Sequence, residues 1–109
     1  MTESITIHPN DLETVQAILA KYVPELEVRA FGSRLQGTAR TTSDLDLAIM
    51  TNTPLTILSM ADLREAFSES DLPFNVDIID WASTHANFRQ LIEQKYIVIQ
   101  NAPSTHSNP

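Results

Sequence analysis

In the stretch NDLETVQAILAKY, Leu12, Val15, Ile18, Leu19 and Tyr22 recur at helical spacing. Asn10 or Asp11 is the expected N-cap and Pro24 the stop. The pattern then changes to a period of two. In Glu25–Phe31, Leu26, Val28 and Ala30 alternate with Glu27 and Arg29, which predicts a strand breaking into a turn at Gly32 and Ser33. Ser33 is placed to cap a short helix running to Gly37, and TARTTS reads as a polar loop leading to a second strand, Asp44 to Met50. After a turn at Asn52–Pro54, the spacing of Leu55, Leu58, Leu63, Ala66 and Phe67 suits an amphipathic helix that ends before Asp71–Pro73. PFNVDIIDW reads as a third strand, HANFRQLIEQ as a helix capped by Ser83 or Thr84, and YIVIQ as a fourth strand. This α-β-α-β-α-β-α-β order predicts an α/β (α+β) fold, a small mixed sheet with helices packed mainly on one face. Residues 1–100 are expected to form one domain and 101–109, NAPSTHSNP, a flexible tail.

Composition narrows the function classes. The 109 residues suit a single domain, and 42% hydrophobic with 19% charged residues is an ordinary globular mixture. Cysteine is absent, which removes disulfide frameworks and thiolate zinc sites. No apolar run is long enough to cross a membrane and the N-terminal residues show no basic or apolar leader, so a cytoplasmic protein with no membrane partner is expected. A net charge of −7 repels phosphate backbones and disfavours nucleic acid as a partner. His8, His85 and His106 lie apart and read as surface residues, Trp81 as a helix-packing residue, and Met50 and Met60 as core filler. No P-loop motif is present.

The chemistry concentrates in two strands and one turn. In SDLDLAIM the strand period puts Asp44 and Asp46 on one face and Leu45, Leu47 and Ile49 on the other. The two carboxylates are then separated by roughly 6 to 7 Å, set by the rise along a strand. Like charges so placed repel unless a cation lies between them, and carboxylate oxygens suit Mg²⁺. The preceding turn, FGSRLQGTARTTSD, holds both glycines of the chain, Gly32 and Gly37, together with Arg34 and Arg40. Unhindered backbone N–H groups at Gly32 and Ser33 can approach a phosphate, and the two arginines read as phosphate neutralisers.

GSRLQGTARTTSDLDLAI resembles the signature of the nucleotidyltransferase superfamily related to DNA polymerase β, in particular its minimal nucleotidyltransferase (MNT) domains. Their motif runs Gly-Ser, a second Gly, then Ser-Asp-x-Asp-Leu; the likeness covers Gly32 to Ile49 closely and the order of elements along nearly the whole chain. Where the family usually has Ala-Arg, or another small residue and a larger polar one, this chain has Leu35 and Gln36. The resemblance implies a third carboxylate on a neighbouring strand. PFNVDIIDW offers Asp77 and Asp80, and the family's apolar-Asp-apolar pattern selects Asp77, between Val76 and Ile78. A mid-strand Asp would be costly to bury without a cation, whereas Asp80 at the strand's end is expected to be solvated. If Phe74, Val76 and Ile78 form the core face, Asp77 is left on the catalytic one.

The resemblance further implies catalysis with two Mg²⁺ ions. Asp44 and Asp46 would hold the ion on the triphosphate, and with Asp77 a second near the attacking hydroxyl, which Asp77 would help deprotonate. Gly32 and Ser33 would hold the phosphates. Relatives with this core carry extra domains to grip the acceptor, for which a chain of this length has no room, so the acceptor is expected from a partner. MNT domains of this size resemble the antitoxin half of systems that include a HEPN-domain toxin, which implies transfer of AMP from ATP to a tyrosine of the toxin, within a homo- or hetero-oligomer. The chain does not itself carry the HEPN pattern of arginine followed four to six residues later by histidine. The alternative is a non-catalytic antitoxin or binding module that neutralises its partner by occlusion.

Overall fold

The computed structural model describes residues 5–35 and 43–103. The element order is α1 (Pro9–Tyr22), β1 (Val28–Phe31), a 3-10 turn (Ser33–Leu35), β2 (Leu45–Ile49), α2 (Ile57–Ser68), β3 (Val76–Asp80), a second 3-10 turn (Trp81–Ser83), α3 (Ala86–Gln94) and β4 (Ile97–Gln100). The strands form one sheet in the order β3-β2-β1-β4. Strand β1 is antiparallel to both β2 and β4, while β2 and β3 run parallel, so the sheet is mixed. Arg40 and the polar loop through Thr42, the second glycine Gly37, and the tail from Ser104 lie outside the described residues.

Helix α1 starts earlier than the Asn10 or Asp11 cap predicts. His8 is the N-cap, its imidazole accepting from the Asn10 backbone N–H at 3.1 Å, and Pro9 opens the helix with no N–H to lose. Val15 and Leu19 are fully buried, whereas Tyr22 is exposed. At the other end Val23 N–H donates to the Leu19 carbonyl at 2.8 Å before Pro24. Helix α2 starts later than expected, because the Leu55 N–H is given to the Asp80 carboxylate at 2.9 Å and Thr56 becomes the cap, accepting from Ser59 N–H. Leu58 is consequently exposed, and Leu63 and Phe67 supply the buried face. Neither Ser83 nor Thr84 caps α3. His85 occupies the N-cap without a side-chain bond, while Ser83 N–H and the Thr84 hydroxyl donate to Asp80.

Strand alternation divides the sheet into two unlike faces. Val28 and Ala30 of β1, Leu45, Leu47 and Ile49 of β2, and Ile78 of β3 join Val15, Leu19, Leu63 and Phe67 in one core under α1 and α2. Each fully buried Leu or Ile contributes roughly 1.5 to 3 kcal/mol. Strand β4 is tied to this layer by Gln100, whose amide donates to the Val23 and Leu26 carbonyls at 2.8 Å, and by Gln16 to the Ile99 carbonyl at 3.1 Å. Helix α3 meets the other face, where Phe88 sets its ring edge-to-face on Phe31 at 5.8 Å between centroids. Beside it, Arg29 pairs with Glu27 and lies over Tyr96 and Trp81, and Arg89 binds the Trp81 carbonyl and ring. Trp81 thus holds α3 to the sheet, the role expected of it.

Candidate active site

The register of the central strands assembles the site. Asp46 of β2 and Asp77 of β3 are direct cross-strand partners in a parallel pair, flanked by the pair Leu47 and Ile78, which turn into the core. Asp44 precedes Asp46 by two residues, and both line one cavity with Asp77. On the other side of β2, Phe31 is the partner of Asp46, so the chain leaves β1 beside this carboxylate and turns at Gly32. Gly32 has a φ of 90°, which L side chains rarely adopt, and any Cβ there would collide with Asp46 Oδ2. The turn therefore favours glycine, and a side chain here would in addition displace the Asp46 carboxylate. Ser33 follows at the start of the 3-10 turn, half-buried.

The three carboxylates are not equivalent. Asp44 and Asp77 are exposed, and Asp46 is half-buried between them. Burial, then the charges of Asp77 and Asp44, push the Asp46 carboxyl up from 3.8 to about 6. The desolvation cost expected at Asp77 thus falls on Asp46, because β3 is an edge strand and leaves Asp77 open to solvent. Asp80 is the converse correction. It is only 6% exposed, on the core face, where burial pushes its carboxyl up but bonds from Ser83 and the Leu55 N–H outweigh this and hold it low. It is a structural acceptor joining the start of α2 to the turn after β3.

Arg34, expected at the phosphates, is 3% exposed. Its guanidinium donates to the Thr6 carbonyl at 2.7 Å and to the Ser43 carbonyl at 2.7 and 3.0 Å, and stacks 4.1 Å from the Phe74 ring centroid. A planar donor fork turned onto two carbonyls fastens the chain on either side of the turn, and the phosphate assignment is corrected accordingly. Burial lowers its pKa, which Asp11 and Asp44 partly oppose.

The cavity beside these acids has a volume of about 1460 Å³. That exceeds the roughly 300 to 1,000 Å³ of a typical small-molecule pocket. Its far wall is α3, through Phe88 and Leu91, with the C-cap Lys95, a contribution not foreseen from the sequence. The available signal was the helical spacing of Phe88, Leu91 and Ile92, of which only Ile92 is buried. Among the described residues no group of three or more acidic or histidine side chains is gathered closely enough to hold a metal ion as it stands. The donor set nevertheless suits a hard divalent cation. It is all oxygen, and the carboxyl of its one half-buried member is pushed up by burial and then by the charges of the other two, a repulsion that such a cation relieves.

A fold with this mixed sheet, an Asp-x-Asp strand beside a Gly-Ser turn and a third aspartate on the parallel neighbour defines a class. A profile of the family described as "Polymerase beta, Nucleotidyltransferase" matches residues 13–104, and the chain belongs to that family. Within it, the sequence is 48% identical over 105 residues to the Haemophilus influenzae protein named "Probable protein adenylyltransferase MntA", covering 96% of this chain and 92% of that one. Among solved structures, a chain of one described as a toxin-antitoxin with AMP-PNP superimposes with a TM-score of 0.68 at 25% identity, over 81% of this chain and 71% of that one. A chain in the complex of tri-AMPylated Shewanella oneidensis HEPN toxin with MNT antitoxin has a TM-score of 0.63 at 20% identity, over 83% and 69%, and shares the fold.

Proposed function

We propose that this protein is an Mg²⁺-dependent adenylyltransferase that moves AMP from ATP to a tyrosine hydroxyl of a HEPN-domain partner and so acts as its antitoxin in the cytoplasm. The observation that carries this reading is the Asp46–Asp77 cross-strand pair beside Gly32, with Asp44 lining the same cavity. The 48% identity to the MntA relative supports AMP as the transferred group and a protein as acceptor.

The roles follow from position. The Gly32 backbone lies against Asp46, and the N–H groups of Gly32 and Ser33 would cradle the phosphates. Asp44, Asp46 and Asp77 would hold Mg²⁺, which when bound supplies neutralisation of triphosphate charge and of the entering and leaving oxygens. Asp77, exposed on the edge strand, is the carboxylate a protein acceptor reaches first. It orients the tyrosine hydroxyl and takes its proton. The phenolic oxygen bonds to the α-phosphorus, the bond from that phosphorus to the bridging oxygen breaks, and pyrophosphate departs with the electron pair.

Incubating the protein with a HEPN-domain partner, Mg²⁺ and ATP labelled at the α- or the γ-phosphate tests this. Label from the α-position is expected on the partner and none from the γ-position. A partner neutralised without label would establish occlusion instead.

A further inference from the structure

A triphosphate must find positive charge in a protein whose formal net charge is −7. The cations expected for this were Arg34 and Arg40, of which Arg34 is turned onto backbone carbonyls and Arg40 lies outside the described residues. The others are mostly engaged away from the carboxylates. Lys21 sits over Tyr22 on α1, Arg29 pairs with Glu27 and stacks on Tyr96, and Arg89 is bound to Trp81. Arg64 and Lys95 remain, and both line the cavity that holds Asp44, Asp46 and Asp77.

These two differ in where they stand. Arg64 is on α2, which packs on the core face, and it reaches the cavity at the rim formed by Phe67 and Ser68. Lys95 is the C-cap of α3, the helix on the carboxylate side of the sheet. Lys95 lies two residues before Ile97, which pairs with Ala30 of β1, and it lines the same cavity as Gly32 and the three aspartates. Its backbone N–H is fixed by the Ile92 carbonyl at 3.1 Å, and its side chain is exposed and in no salt bridge among the described residues. A flexible ammonium anchored at its base, on the cavity that Gly32 also lines, suits a mobile phosphate chain.

We propose that Lys95 binds the β- and γ-phosphates of the nucleotide held at Gly32 and Ser33, supplying the cationic contact that Arg34 does not. This rests on the reading of ATP as substrate. Lys95 touches only phosphates that leave as pyrophosphate, so its contribution is confined to the triphosphate end of the ligand.

Calorimetric titration of ATP with Mg²⁺, and of AMP with Mg²⁺, into the parent protein, Lys95→Met and Lys95→Arg tests this. Losing one charge-assisted contact is expected to weaken ATP binding at least about tenfold in Lys95→Met and to leave AMP binding within about twofold. Lys95→Arg is expected to restore ATP affinity to within about threefold of the parent, with all three proteins melting alike. ATP affinity unchanged in Lys95→Met, or ATP and AMP weakened equally, overturns the assignment. A parent protein that binds no ATP overturns the transferase reading itself, and this inference with it.

Discussion

Asp46 bears most of the electrostatic cost of the site. Burial and the charges of Asp77 and Asp44 raise its carboxyl from 3.8 to about 6, so between those pH values the folded protein holds a proton that the unfolded chain has released. Metal-free stability therefore falls as pH rises through that window, and the penalty is complete above about pH 6. In Asp46→Asn this part of the slope disappears, and at neutral pH the variant is at least as stable as the parent; urea unfolding on either side of the window measures both. A less stable Asp46→Asn protein at neutral pH would mean that the carboxylate is favourably paired in the fold. Asp80 behaves oppositely. Its oxygens accept from Leu55 N–H and Ser83 N–H in a buried setting, and an orphaned buried donor costs about 1 to 3 kcal/mol. Asp80→Ala is expected to lower the unfolding free energy by that order while retaining transfer, whereas Asp77→Ala loses transfer and melts close to the parent. The reverse ranking would move the third carboxylate to Asp80.

At the scale of elements, what was legible in the sequence was whatever local periodicity decides. The alternation in LDLAI and VDIID fixes which side chains turn inward, so the shared face of Asp46 and Asp77 could be read without coordinates. The Gly-Ser turn was readable for the same reason, since a φ of 90° is a local demand on one residue. Contacts between distant segments were not legible. The start of α2 depends on Leu55 bonding to Asp80, 25 residues on, and Arg34 is claimed by the Thr6 carbonyl, 28 residues back. The path of α3 across the catalytic face follows from β4 pairing with β1, a topology that no periodicity encodes. Arg34→Met therefore serves as a test of the element's role. It is expected to cost at least about 2 kcal/mol in chemical unfolding, because buried charge-assisted bonds to two segments are lost. Unchanged stability with a raised KM for ATP would restore Arg34 to the phosphates.

The whole molecule is a small acidic transferase whose charge and substrate repel each other. With a formal charge of −7 and three acids lining one cavity, ATP alone is expected to bind poorly, and Mg²⁺ with ATP to raise the melting temperature well beyond either component. An equal shift in the presence of EDTA would show that no metal takes part. Among the described residues no helix is long and apolar enough to cross a membrane. The most direct test of the central claim is the rate of α-phosphate label transfer from ATP to the HEPN-domain partner by the parent protein and by Asp44→Asn, Asp46→Asn and Asp77→Ala. The parent is expected to transfer label, and each variant to fall by at least about a hundredfold, as loss of an electrostatic group at a reacting phosphate does, while remaining folded. Transfer at the parental rate by any folded variant would contradict the three-carboxylate site.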